Sequence, residues 1–371
     1  MKKIVFVLTS FFIIASCRNA PISRLMEEVV VDTDQTVTLP LSLITEEIEV
    51  IELELTDESI TGPERIKQVL FSTNQIIIVE SNNILVFDKN GKFIRSIASR
   101  GQGPGDYNYI KKVAIDEKNQ NLYILNADSK ILCYNLNGQY VRNNIQIKQD
   151  GFSICDLSYI DDLLLVAEQW RKNEKGAYKH SAVLRLNNDL LITDSIRIRD
   201  DYFELESRLL HSYENYLFCN NSNFYVYFPD LYSIDAKPTE TVLRDTLYRF
   251  EKNLLIPELK LNFKNNGIDS DGSIYFYLYN IYRSSRYVFA VYTKRQDEKT
   301  FRYCFDMETK KGYNVLNDEF MDDINQIEEP VKIRPLTMKT DYFYYLSTRM
   351  KPEDFEEPNP TLFIGKLKQL N

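Results

Sequence analysis

Histidine is almost missing from this 371-residue chain: there are two, His180 and His211, beside a single tryptophan, Trp170. Both histidines sit in polar, loop-like sequence with no cysteine nearby, and surface positions are expected for them. No Gly-x-Ser-x-Gly elbow occurs, so a Ser-His-Asp arrangement has nothing to anchor it. The five cysteines form no CxxC pair, which excludes a zinc ribbon or a thioredoxin-like motif. Cys133 lies inside an apolar run, where a buried free thiol is expected. No Lys/Arg cluster dominates any stretch, and 45 bases face 54 acids for a net charge of −9. Phosphate neutralisation supplies most nucleic-acid affinity, so nucleic acid is not an expected partner. An anionic lipid surface bound through a basic patch is not expected for the same reason.

What is present begins with an address. Lys2 and Lys3 precede Ile4 to Ile14, an apolar run of eleven residues that is too short to span a bilayer. Ile14-Ala15-Ser16-Cys17 follows and resembles a bacterial lipobox. The expectation is a signal peptide over 1–16, lipid attachment at Cys17, and an acidic tether over 17–36 that carries a domain over 37–371. Loss of the two lysines would move the net charge to −11, from 43 bases and 54 acids. The address implies a cell-envelope protein held at a membrane, the outer membrane in this reading, by a lipid anchor.

Next comes a repeat. Ile84-Leu85-Val86-Phe87-Asp88 and Asn90-Gly91-Lys92-Phe93 recur forty-seven residues on as Ile131-Leu132-Cys133-Tyr134-Asn135 and Asn137-Gly138-Gln139-Tyr140. Before each copy, at the same spacing of forty-seven, runs another apolar segment, Ile76 to Val79 and Tyr123 to Asn126. Strand–strand–turn–strand units at this spacing mark β-propeller blades, and Asn-Gly between apolar strands is a strong hairpin signal. The first blade is expected as Ile66–Ser72, Gln75–Glu80, Ile84–Asp88 and Phe93–Ile97, the second as Val113–Asp116, Leu122–Asn126, Ile131–Asn135 and Tyr140–Ile145. Later blades are less regular: Leu163–Val166 reads as the inner strand of a third, and Tyr342–Leu346 with Leu362–Leu367 as part of the last. Longer connections after Gln146 favour six blades over seven. Glu47–Leu55 alternates except for a slip at Ile51, a candidate bulge, and has no blade of its own. Its expected partner is Thr361–Lys368, which would close the ring and remove two open edges. The fold class is therefore all-β: a six-bladed propeller of four-stranded antiparallel blades, closed by the N-terminal and C-terminal strands.

Three strings add a family resemblance: Arg100-Gly101-Gln102-Gly103-Pro104-Gly105-Asp106-Tyr107, Asp245-Thr246-Leu247-Tyr248, and Asn359-Pro360-Thr361-Leu362. Together they resemble the six-bladed propeller lipoproteins of Bacteroidetes, relatives of NHL-repeat propellers, over about Leu39 to Leu367. The resemblance implies the fold and an envelope location, and supplies no reaction or ligand.

Candidate chemistry is sparse. The glycine loop is followed by Asp106-Tyr107 rather than Lys-Ser/Thr and a helix, so it is not a nucleotide cradle. It joins an outermost strand to the next innermost one and must cross a face toward the axis. Arg100, Gln102, Asp106 and Tyr107 are therefore candidates for a ligand mouth, set against a purely structural crossover. Tyr275, Tyr277 and Tyr279 share a strand face, with Arg283 and Arg286 in the following turn as candidate polar anchors; packing between blades is the competing role. Asp269 to Asn280 fails as an EF-hand, having Ile274 at the sixth position and Asn280 at the twelfth. No catalytic residue, metal ligand or cofactor is assigned, and calcium in the channel, as in propeller lactonases, stays open. Two readings remain: a non-catalytic binding or scaffold propeller for a protein or glycan partner, or a metal-dependent hydrolase or lyase at the channel mouth. Carboxylates converging on that mouth would favour the enzyme.

Overall fold

The structure is a computed structural model, and it describes residues 26–97, 100–144, 151–174, 176–203, 215–229, 244–251, 253–264, 276–294, 299–348 and 358–370. The expected signal peptide, Cys17, His211, Tyr275 and the Asp269–Gly272 turn lie outside them. Three strands and a helical turn come first: β1 (Glu27–Val31), β2 (Val37–Pro40), α1 (Leu41–Ile44) and β3 (Thr45–Glu52). The first blade is β4 (Ile66–Phe71), β5 (Gln75–Glu80), β6 (Ile84–Asp88) and β7 (Phe93–Ser96). The second is β8 (Ile110–Asp116), β9 (Asn121–Asn126), β10 (Ile131–Asn135) and β11 (Tyr140–Asn144). The third has the long strands β12 (Phe152–Tyr159), β13 (Leu163–Asn173), β14 (Gly176–Leu186) and β15 (Ile192–Phe203). The fourth is β16 (Leu217–Asn220), β17 (Asn223–Val226), β18 (Thr246–Glu251) and β19 (Leu254–Phe263). The fifth is β20 (Phe276–Arg283), β21 (Tyr287–Lys294), β22 (Thr300–Asp306) and β23 (Lys311–Met321). β24 (Arg334–Pro335), β25 (Tyr342–Ser347) and β26 (Thr361–Leu367) form the sixth with β3 as its outer strand.

Closure follows the expected pairing. Thr361 faces Glu52 and Leu367 faces Thr45 in an antiparallel register. The irregularity falls at Glu46 rather than Ile51, because Lys366 opposes Glu47 and Leu367 already opposes Thr45. The buried amide of Asn359 locks this junction. It donates to the carbonyls of Glu54 and Ser59 and accepts from the Thr61 N–H at 2.9 Å. The Asn-Pro-Thr-Leu string thus fastens the last blade to the connection leading into the first.

Apolar runs without alternation arise because each blade is covered on both faces. Ile77 and Val79 pack with Ile124 and Leu132 of the second blade, while Ile76 and Ile78 pack with Tyr344 and Leu362 of the sixth. Each such side chain contributes roughly 1.5–3 kcal/mol by leaving water. The turns between third and fourth strands share one device. The side-chain Oδ1 of Asp88, Asn135, Asn187 and Asp306 each accepts backbone N–H groups at i+2 or i+3, and in the first three also at i+4. Gly91 and Gly138 take φ of 84° and 87°; a Cβ on Gly91 would also lie 2.1 Å from the Glu52 carbonyl oxygen.

Three expectations are corrected. Leu163–Val166 belongs to the second strand of its blade, and the inner strand is β12, which reads as mixed polar sequence. Strands β5 and β9 are offset by forty-six residues and β6 and β10 by forty-seven, because the turn at 127–130 is one residue longer than that at 81–83. The tether expected over 17–36 overlaps a strand: β1 adds in parallel to β19, with Val29 and Val31 buried and Val30 exposed. β2 adds in parallel to β23. The fourth and fifth blades therefore have five strands each.

Gly365 faces Phe343 across the closing blade, and a Cβ there would lie 2.1 Å from the ring. Gly365→Ala is expected to lower stability by about 1–3 kcal/mol through overpacking. Because β26 joins the ring, the loss should shift one cooperative urea transition rather than split it.

Candidate functional site

Inner strands carry a repeated irregularity. Register slips between Ile66 and Gln68 in β4, Ile110 and Lys112 in β8, Ile154 and Asp156 in β12, and Leu278 and Asn280 in β20. Each slip leaves one extra residue (Lys67, Lys111, Cys155 or Tyr279) on the strand nearest the axis, followed by a polar one. Gln68 and Asp156 among them tie blades together. The Gln68 amide donates to the Val113 carbonyl at 3.0 Å and accepts from the Val113 N–H at 3.1 Å. Buried Asp156 accepts from the N–H groups of Leu157, Tyr216 and Leu217, at 2.9, 2.7 and 3.1 Å. Burial pushes the Asp156 carboxyl up from its usual range, against the charge of Lys112 and these donors.

One end of the axis is closed. Residues 336–341, between β24 and β25, leave the sixth blade and meet four others. Leu336 packs in the cluster of Ile66 and Val69 of the first blade. Ser158 of the third donates to the Met338 sulfur. The Cys219 N–H of the fourth donates to Thr337 at 2.7 Å, and its carbonyl accepts from the Thr340 N–H at 3.0 Å. In the fifth, the Arg283 carbonyl accepts from the Thr340 hydroxyl, and the N–H and hydroxyl of Ser285 donate to Asp341. A segment that touches the inner part of the first, third, fourth and fifth blades crosses the axis. It also gives the short β16 backbone partners on its free edge.

At the other end, where inner strands begin, lies the glycine loop. Its hydrogen bonds close on itself and on the second blade. Gly103 N–H donates to Asp106 Oδ2 at 2.8 Å, Gly101 N–H to the Tyr107 carbonyl at 3.1 Å, and Tyr134 hydroxyl to the Gly105 carbonyl. A Cβ on Gly101 would lie 2.2 Å from Asp106 Oδ2, which is why glycine stands there. Tyr107 is buried, donates to the Asn82 carbonyl, and has its phenol pushed up to about 12 by burial, with Glu80 and Asp106 adding to the shift and Arg100 opposing it. Asp106 and Tyr107 thus face into the loop, while Arg100 and Gln102 are exposed.

Arg283 and Arg286 do not join this loop. They flank the turn that ends β20, at the closed end. Arg283 pairs with Glu258 at 3.4 Å and Glu27 at 3.7 Å. Arg286 forks onto Asp306 at 3.0 and 2.7 Å and also pairs with Glu308. Tyr277 and Tyr279 are half-buried, while Phe276 and Leu278 on the opposite face are core residues. His180 Nδ1 lies 2.6 Å from Asp200 Oδ1 and is partly exposed. Cys133, Cys155, Cys219 and Cys304 are free thiols, Cys133 buried as expected.

The sequence reading missed the cations at this end of the axis. Lys67 donates to the Tyr109 hydroxyl and lies 4.1 Å from that ring's centroid. Lys111 reaches the Ile154 carbonyl at 3.3 Å, Lys112 the Asn215 side chain, and Arg334 the Ile66 carbonyl at 2.7 Å. The signal was in the repeat, as Ile66-Lys67-Gln68-Val69 returns as Ile110-Lys111-Lys112-Val113. Among the described residues no group of three His, Cys, Asp or Glu is placed to share a metal ion.

A family model described as a domain of unknown function, DUF4934, matches residues 27–371. No curated protein matches the sequence. A crystal structure from Bacteroides fragilis, described as a "Putative exported protein", superposes with a TM-score of 0.62 at 15% identity, covering 93% of this chain and 100% of that one. The Neurospora crassa Pan2 WD40 domain reaches 0.41 at 11% identity, over 82% of this chain and 76% of that one. The Cps50 propeller of Myceliophteria thermophila reaches 0.41 at 10%, over 87% and 100%. At these identities the likeness concerns the fold.

Asp306 tests the structural role of Arg286. Burial opposes ionisation there, but hydrogen bonds from Arg286 and from Glu308 and Thr309 hold the carboxyl down to about 2. A depressed carboxyl contributes stability that is complete above its unfolded value, about 3.9, and lost as pH falls toward the folded one. The thermal midpoint of the wild type should therefore drop more steeply than that of Asp306→Asn between about pH 4 and about pH 2, the two curves converging at the acid end. Parallel curves would mean that the pair contributes nothing.

Proposed function

The chain belongs to the DUF4934 family, and we propose that it is a non-catalytic binding module of the cell envelope, lipid-anchored through Cys17, that offers the open end of its propeller to a protein or glycan partner. The observation that carries this reading is the asymmetry of the axis. Residues 336–341 close one end, and among the described residues no segment lies across the end that bears Arg100, Gln102 and Tyr109. Propellers serve many functions on one architecture, so the site rather than the fold has to support the reading. The runner-up, a metal-dependent hydrolase or lyase, is less well supported, because ammonium and guanidinium groups at the mouth repel a divalent cation. The envelope address is supported by Lys2-Lys3, the apolar run and Ala15-Ser16-Cys17, and by the export description of the B. fragilis protein of similar fold.

Two measurements test this. Mass spectrometry of the mature N-terminus should find a diacylglyceryl group on Cys17; an unmodified start elsewhere overturns the anchor. For the face, immobilised wild type is screened against envelope protein extract and purified surface polysaccharides. Gln102→Ala/Tyr109→Ala at the open end should abolish capture of the identified partner, while Lys339→Ala at the closed end should leave it unchanged. Equal capture by all three proteins overturns the assignment of the open end.

A further inference from the structure

The cations of the mouth share one kind of partner. Elsewhere in the chain the buried cations meet carboxylates, as Arg286 does with Asp306 and Lys179 with Glu168 and Asp201. Lys67, Lys111, Lys112 and Arg334 form no ion pair among the described residues. Their partners are neutral oxygens: a phenol, two backbone carbonyls and a side-chain amide. The carboxylate beside them, Asp156, has its oxygens committed to three backbone N–H groups. Lys111 and Lys112 are half-buried; Lys112 acts on the Asp156 carboxyl from a distance, and among the described residues neither ammonium is within ion-pair reach of a carboxylate.

The arrangement is built by the fold. Lys67 and Lys111 are the extra residues of two inner-strand bulges, one in each of two adjacent blades. The Gln68 amide clamps those blades to each other at Val113. Asp156 fixes the backbone at Tyr216, next to Asn215, which receives Lys112. Arg334 comes from the sixth blade and bonds the residue that precedes Lys67. Hydrogen bonds from Lys67 and Ser81, with the charges of Lys67 and Lys111, hold the Tyr109 phenol below its ordinary range, so both ammonium groups act on one point.

We propose that the open mouth is an oxyanion site, in which Lys67, Lys111, Lys112 and Arg334 receive a carboxylate, sulfate or phosphate group of the ligand. This rests on the reading of the open end as the contact face and names the charge of what binds there. The ligand supplies a counter-charge, and neighbouring groups of one sign of charge draw it in.

The test is calorimetric titration of the full propeller at low ionic strength with four probes: sodium sulfate, sodium phosphate, trigalacturonate and neutral maltotriose. Saturable 1:1 binding of at least one oxyanion is expected, with maltotriose silent and the affinity falling as salt is raised. Trigalacturonate alone would assign the site to a carboxylate-bearing saccharide, and sulfate or phosphate to an inorganic or ester oxyanion. Lys111→Gln/Lys112→Gln should weaken binding at least about tenfold. If that pair fails to fold, Lys67→Gln/Arg334→Gln, at exposed positions, should give the same loss. No saturable binding of any oxyanion to the wild type, or binding unchanged in a folded double variant, overturns the proposal. Partner capture at the open end without oxyanion binding would sink this inference and leave the contact face standing. Oxyanion binding with capture insensitive to Gln102→Ala/Tyr109→Ala would do the reverse.

Discussion

Every blade in this molecule needs a neighbour on each side, and that requirement governs the rest. A strand such as Ile76–Val79 buries successive side chains on opposite faces, one pair against the second blade and the other against the sixth. Such a sheet is not stable alone, since one face would always be wet. Only a closed ring supplies a partner to both faces of every blade. Closure by β3 and β26 is thus a condition for burying the first blade as much as the last. The amide of Asn359 and the packing of Phe343 on Gly365 stand at the seam where that condition is met.

The same ring has an axis that must be filled or left open, and here its two ends are treated differently. The inner strand of the sixth blade is only two residues long, Arg334 and Pro335. The chain that follows lies across the axis and takes up hydrogen-bonding groups of the third, fourth and fifth blades. Among the described residues, polar groups of the closed end are matched to one another, as with Arg286 and Asp306 or Ser285 and Asp341. At the other end Lys67, Lys111 and Arg334 meet neutral oxygens, while Arg65 pairs with Glu80. The two ends of the axis thus differ in how their polar groups are matched.

Much of the fold was legible because its signals are local. Asn90-Gly91 and Asn137-Gly138 mark turns whose backbone needs positive φ, and four-residue apolar runs mark strands covered on both faces. β12 was hidden because the slip at Cys155 breaks its alternation, so Phe152 to Tyr159 shows neither period two nor an apolar run. β1 was hidden because a single parallel edge strand has no turn to announce it. The site was less legible. Asp106 stood out as a charge without a local partner in sequence, yet Gly101 and Gly103 leave room for its carboxylate to turn back onto the Gly103 N–H. Lys67 looked like an ordinary residue of the strand Ile66–Ser72, and Lys111 fell before the expected strand Val113–Asp116. Their place at the axis comes from the bulges, which one sequence position cannot reveal.

The placement of the N-terminal strands bears on the order in which the molecule can form. Glu27 faces Leu259, Val37 faces Val315 and Glu52 faces Thr361. A chain made from its N-terminus therefore produces β1, β2 and β3 long before any of their partners exists, and each must wait for most of the sequence to follow. Contacts this distant cost loop-closure entropy first and return stabilisation late, which slows folding. The fourth blade keeps a bare outer edge until β19 is made and can receive β1, and the fifth until β23 can receive β2. Shielding of those edges can therefore precede completion of the ring, which waits for the C-terminal β26.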